Sequence, residues 1–328
     1  STSIFNAPYL VGIQTANFAQ KLAGLNLERA EQDTKESVTT SYYLILLSEE
    51  TLKILNSNIE VLEETSKATK SMLSVGMAEA TDVDQMESNV TMMKNSKSSM
   101  ERALEVNYNL LRFQLGISPD VKITLTESLE AILAKVDFQQ LAGNEFDIKQ
   151  NINYKLIASQ ERMSELSVKL QKSMILPSLS GYYTYSKNGM GDKLGSLSWF
   201  PNSIVGLQLS IPIFATGSRY LSIKQASINL EKARVGKEMV TEQLALQEKQ
   251  LRFNLVSARD QYNLQKNNID VSKRVYTSVE NKFKQGMASS LELTQANSLY
   301  LQAENNYLSA LMNLLQTKLA LDKLLNTL

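Results

Sequence analysis

Two carboxylates stand in matching places in this sequence. Asp82 follows Gly76 by six residues in "VGMAEATD", and Glu292 follows Gly286 by six in "QGMASSLE". Each comes after Gly-Met-Ala and opens a new helical pattern. An acid in the first turns of a helix stabilises its dipole by about 0.3–1 kcal/mol. A carboxylate that lines a narrow aqueous opening also attracts cations and repels anions. Asp84 and Glu87, further along the first pattern, read as solvated helix charges.

Other chemistry is narrowly bounded. The 328 residues include no histidine and no cysteine. That removes the commonest general base and metal ligand, together with thiolate nucleophiles and disulfides. The remaining acids scatter at helical surface spacing, with no glycine-rich phosphate loop and no strand leading to a Walker-type lysine. No catalytic residue, cofactor or metal is therefore expected. Lys and Arg number 34, as do Asp and Glu, so there is no basic footprint for nucleic acid. No apolar run approaches the ~18 residues of a spanning helix; the densest is "YYLILL" from Tyr42. The opening "STSIFNAPYL" lacks the basic start and apolar core of a secretory signal, so any export signal lies outside this sequence.

The elements that carry the two acids follow from the prolines and the apolar spacing. Prolines stand at 8, 119, 177, 201 and 212, with none between Ile13 and Gly116 or after Gly217. Both proline-free regions carry narrow helical stripes, such as Leu52, Leu55, Ile59 and Leu62, or Leu308, Leu311, Leu315 and Leu319. Such stripes resemble coiled-coil seams more than broad globular faces. Each region is broken once, at Gly76 or Gly286, as a left-handed glycine ends a helix. A helix from near Ile13 to Gly76 would be ~90 Å long, and one from about Gly217 to Gln285 ~100 Å. The middle differs. Gly116 to Asn144 reads as a short strand-like run and a short helix, and Asn151 to Ser173 as another helix. From Leu176, Leu179, Tyr183 and Tyr185 alternate with serines and Thr184; from Ser203, Val205, Leu207, Leu209, Ile211 and Ile213 share one face. Period two marks strands, here of about 10 to 12 residues. The glycine-rich "NGMGDKLGSLSWFPN" joins them as a hairpin.

The halves also repeat. "NLERA" at Asn26 matches "NLEKA" at Asn229, offset 203; "NIEV" at Asn58 matches "NIDV" at Asn268, offset 210; the Gly-Met-Ala turns share 210. The second copy is thus expected to hold seven extra residues, one heptad, between the first two matches. "NAPYL" at Asn6 resembles "SIPIF" at Ser210, which places a strand before each long helix. The first copy lacks the helix and strand that precede Pro212 in the second, so the chain is expected to lack its true beginning. A strand of ~9–11 residues with one apolar and one small polar face suits a membrane β-strand. The intact protein would then have four strands in two hairpins, too few to close a barrel, and since open edges are not tolerated in lipid several copies would share one. Trp199 and Phe200 would sit in an interfacial aromatic belt. On the hairpin alone, a small soluble β-layer capping a helical bundle is an equal alternative.

In order, "VGMAEATDVDQ", "LGISPD", "LPSLSGYYTYS", "LQLSIPIFATGSR" and "QGMASSLELTQANSLYLQAENNYLSALMNL" resemble the TolC-like outer-membrane efflux proteins over essentially the whole chain. The implied fold is mainly α, built from long antiparallel helical hairpins of an α-barrel protomer, a small β-barrel hairpin and a mixed α/β equatorial region, with internal duplication. The divisions would be 1–12, remnant of a first β-hairpin; 13–115, first helical hairpin turning at 76; 116–150, equatorial region; 151–175, helix leading to the barrel; 176–214, second β-hairpin; and 215–328, second helical hairpin turning at 286. The resemblance implies a homotrimer with a twelve-stranded barrel in the outer-membrane lipid of a Gram-negative bacterium and helices reaching through the periplasm. It implies a passive exit duct for efflux or type I secretion, energised by an inner-membrane pump and docked by a periplasmic adaptor. Val75-Gly76-Met77 matches the family's docking tripeptide, and Gln285-Gly286-Met287 matches it with Gln for the usual Val. The family's aperture acids fall at Glu292 and Gln295, so one acid is kept; Asp82 takes the corresponding place after the first turn. The competing reading is an elongated coiled-coil or adhesin-like surface protein, with no lipid-facing hairpin and no ring-shaped oligomer.

Overall fold

A computed structural model of the chain describes residues 1–136, 145–190, 198–213 and 217–328. Strand β1 (Thr2–Phe5) leads into helix α1 (Ala7–Ser74); α2 (Ala80–Leu115), α3 (Leu129–Ala134) and α4 (Ile152–Ser173) follow, then β2 (Ser178–Met190), β3 (Ser198–Ser210), α5 (Ser218–Lys284) and α6 (Ser290–Leu325). Helix α1 starts at Ala7 rather than near Ile13, because the Asn6 side chain accepts the Tyr9 N–H at 3.1 Å. Pro8 lies in the first turn, where backbone N–H groups have no helical partner to lose. Half of the expected remnant hairpin 1–12 is thus helix.

Three further expectations change. The strand-like run after Gly116 forms no strand, for among the described residues no edge pairs with residues 121–128. The hairpin strands are 13 residues each. They reach Met190 and start again at Ser198, so Trp199, Phe200 and Pro201 belong to β3 rather than to the connection; residues 191–197 of that connection, 137–144 of the equatorial stretch and 214–216 lie outside the described residues. The two long helices have 68 and 67 residues, which leaves no net heptad insertion in the second. A seven-residue pattern matches itself after a slip of one heptad, and the "NLERA"/"NLEKA" match has that ambiguity.

The duplication is clearer in the second limbs. Helices α2 and α6 each have 36 residues and start and end 210 residues apart. Their C-caps, Gly116 and Asn326, share that offset and are both left-handed, at φ 67° and 62°. At each cap two N–H groups turn back to the last helical turn: Gly116 to Phe113 O and Ile117 to Arg112 O, both at 3.1 Å, and Asn326 to Lys323 O at 3.2 Å and Thr327 to Asp322 O at 2.9 Å.

The chain divides into two compact units, 1–29 with 148–245, and 30–147 with 246–328. In the first, the sheet runs β1-β2-β3 and is antiparallel throughout. Tyr183 pairs with Val205, Gly181 with Leu207 and Leu179 with Leu209 on one face. Ser180 pairs with Gln208, Tyr182 with Gly206 and Ser186 with Asn202 on the other. The Tyr182 ring lies over Gly206, where a Cβ would come within 2.4 Å of it. Ion pairs tie α4 to the early turns of α1 and α5: Lys155 to Glu28 at 3.7 Å, and Glu161 to Lys237 at 2.5 Å and Arg234 at 3.4 Å.

In the second unit, Tyr43 and Leu46 of α1, Leu255 and Tyr262 of α5, and Leu311, Leu314, Leu315, Leu319 and Leu321 of α6 form the main core with Leu129 of α3. A second cluster lies nearer the turns, where Tyr276, Phe283, Leu293 and Ala296 pack with Val61, Met72 and Tyr300. Among the described residues no helix is long and apolar enough to cross a membrane.

Candidate functional site

The two hairpin turns are built alike. Gly76 and Gly286 take φ of 76° and 72°. The Gly76 N–H donates to Leu73 O at 3.0 Å and the Met77 N–H to Met72 O at 2.8 Å; Gly286 and Met287 repeat this with Phe283 O at 2.9 Å and Lys282 O at 2.8 Å. This pairing satisfies carbonyls that the helix end leaves without partners, and it requires a left-handed residue at the glycine. Val75, Met77 and Met287 remain 68%, 73% and 66% exposed. Gln285 and both glycines are exposed too. Each turn thus displays an apolar tip that its own hairpin does not cover.

The acids after the turns cap the returning helices. The Asp82 carboxylate accepts the Glu79 N–H at 3.0 Å. The Glu292 carboxylate accepts the Ser289 N–H at 2.8 Å, and Ser289 Oγ accepts the Glu292 N–H at 3.3 Å. The latter is a reciprocal capping box. Asp82 also accepts a hydrogen bond from Ser290 Oγ of the other hairpin. These bonds hold both acids below the usual carboxylate range: for Asp82 the Ser290 hydroxyl first and the Glu79 N–H second, for Glu292 the Ser289 N–H first. Glu292 and Gln295 are exposed and Asp82 half-buried. Asp84 and Glu87 are both exposed as expected, and Glu87 forms a surface ion pair with Lys70 of α1 at 2.5 Å.

The structure adds contacts that no sequence pattern announced. Ser290 brings the two turns together through Asp82, and the Asn89 amide reaches Thr294 Oγ1 at 3.4 Å, again joining α2 to α6. The repeat gave no signal for either, since the residues 210 positions from Ser290 and Asn89 are Ala80 and Leu299. A hydroxyl set against a carboxylate across two hairpins is invisible to spacing within one.

Residues 157–327 match the profile of the family described as "Outer membrane efflux protein". The chain belongs to that family. It is 23% identical over 315 residues to Toxin and drug export protein A of Aggregatibacter actinomycetemcomitans, covering 92% of this chain and 66% of that protein. A protein of Haemophilus influenzae is 22% identical over 206 residues, with 63% of this chain and 40% of the relative covered. The chain therefore spans about two thirds or less of the length of these relatives. The fold matches the open-state MtrE outer membrane channel of Neisseria gonorrhoeae at a TM-score of 0.81 and 16% identity, over 99% of this chain and 73% of that one. It matches the CmeC outer membrane channel of Campylobacter jejuni at 0.78 and 15%, over 98% and 68%. This is the fold of α-barrel channel protomers: long antiparallel helical hairpins with a small antiparallel sheet.

Proposed function

We propose that the intact protein is an outer-membrane exit duct of a tripartite efflux or type I secretion system, a passive channel whose helices extend into the periplasm of a Gram-negative bacterium. The observation that carries this, beside family membership, is the pair of matched turns with exposed apolar tips, in a chain that also holds a two-faced β-hairpin. The apolar face of the hairpin suits lipid and the serine-rich face suits water. Three strands leave edges that lipid would not tolerate, so identical protomers complete the barrel, three of them in the homotrimer. Val75, Gly76 and Met77, with Gln285, Gly286 and Met287, form the surface that docks a periplasmic adaptor. Glu292, Gln295 and Asp82 border the periplasmic aperture, where the carboxylates favour cations. No group is assigned to bond-making, and an inner-membrane pump supplies the energy.

Single-channel recording of the intact protein in planar bilayers tests the duct. Discrete, cation-selective openings are expected, with selectivity reduced in Glu292→Gln. An intact protein that inserts but never conducts would overturn it. Adaptor docking is tested apart from conduction: Met77→Asp with Met287→Asp should abolish crosslinking to the adaptor while conductance persists.

A further inference from the structure

The inner face of α6 changes character along its length. Between Leu308 and Leu321 its buried residues are all apolar. Toward the turn, three buried positions at heptad spacing are polar: Ser290, Asn297 and Glu304. They are only 8%, 5% and 6% exposed. Asn297 Oδ1 has no hydrogen-bond partner. Helix α1 runs antiparallel on this side and buries Asn58, Thr65 and Thr69.

Glu304 is the node of this seam. Asn58 Nδ2 of α1 lies 3.5 Å from its carboxylate, and the Tyr300 hydroxyl bonds to it. The Tyr300 ring stacks on Tyr276 of α5, with centroids 5.6 Å apart and planes at 8°. One carboxyl thus connects α1, α5 and α6. The charge that acts on it from α5 is Lys273; α1 offers only the Asn58 amide, and α6 the Tyr300 phenol. Burial raises its protonation above the ordinary carboxylate range, outweighing those three favourable partners.

We propose that Glu304 is a proton-sensitive latch of the α1–α6 seam: protonated, it keeps the turn-proximal parts of the two hairpins together, and ionised, it draws in water and lets them part below Leu308. The physical reason is asymmetry of cost. Parting the turn-proximal part exposes only the smaller cluster around Tyr276 and Leu293 while its polar groups re-form hydrogen bonds with water, whereas separating the leucine-rich part exposes the larger apolar core. A buried carboxylate pays desolvation that the neutral acid does not. The sign follows. A carboxyl whose packed form holds its proton more tightly stabilises packing in acid, and that stabilisation is lost as pH rises through its raised range. The latch is a property of the seam; its consequence for passage of cargo rests on the duct reading.

These 328 residues hold no cysteine, so within them only introduced thiols take a label. Nitroxides at Asn89→Cys and Thr294→Cys, whose parent side chains touch at 3.4 Å, report on the turn-proximal interface by pulsed electron resonance in the assembled protein. On going from pH 5 to pH 8, the short-distance population should fall several-fold. With Glu304→Gln, which keeps the shape and the Asn58 contact, it should stay high at both pH values. With Asn58→Leu, which removes the amide that favours the ionised form, the fall should move to higher pH. A distance distribution unaffected by pH, or an equal fall with and without Glu304, would overturn the latch. Conductance in the same preparation distinguishes this from failure of the duct itself.

Discussion

A methyl group added at Gly76 or Gly286 would meet nothing within 4 Å, so these glycines are required by backbone conformation alone. Alanine in the left-handed region costs about 1–2 kcal/mol. Gly76→Ala and Gly286→Ala should each lower the thermal midpoint, whereas Gly286→Asn should cost less. Asn326 supports that ranking, since it already holds φ 62° at an equivalent cap. The acids that follow respond to pH. Both bind backbone N–H groups in their ionised form and so titrate low. Their stabilisation is complete above the ordinary carboxylate range and is lost as pH falls through the lowered one. Denaturant midpoints of Asp82→Asn and Glu292→Gln should therefore sit below the parent at pH 7 and converge with it in strong acid. The tyrosine stacked on Tyr300 behaves oppositely: burial raises the Tyr276 hydroxyl to about 12, so it stays neutral throughout the physiological range.

At the scale of elements, the hairpin offers the sharpest contrast. Leu207 and Gln208 are neighbours in β3 but face opposite sides. A lysine at a lipid-facing strand position near the bilayer midplane costs about 2–4 kcal/mol. Leu207→Lys should therefore reduce recovery in the outer membrane fraction, while Gln208→Lys should be recovered normally and shift ion selectivity toward anions. Gly206→Ala should damage the same strand for another reason, because the Tyr182 ring occupies the space its methyl needs. The helices show how a repeat misleads. Lengths of 68 and 67 residues, one apart, contradict a net inserted heptad, although short matches suggest one. Heptad patterns fix phase without fixing register.

For the whole molecule, the decisive quantity is copy number. Long stretches of α5 present exposed apolar residues at heptad spacing, among them Leu221, Ile228 and Val235, then Met239, Leu246 and Phe253. A stripe of this kind is covered only by other helices. Light scattering of the intact protein in detergent should give the mass of three chains. A monomeric value for the full-length protein would remove the basis for a shared barrel and for a ring of turns.

The sequence determined the order of elements, the two glycine turns and the period-two faces of the hairpin, because each is written within a few neighbouring residues. Helical stripes, left-handed glycine and strand alternation are local rules. It did not determine that residues 121–128 form no strand, that Pro201 lies inside β3, or that the two long helices differ by only one residue. Nor did it show Ser290 on Asp82 or Glu304 between Asn58 and Tyr300. Those pairings join residues more than 200 positions apart, except for Tyr300, whose role depends on the helix that stacks against it. Only the packing of one hairpin on another decides which buried polar group finds a partner, and periodicity along a single helix carries no information about that.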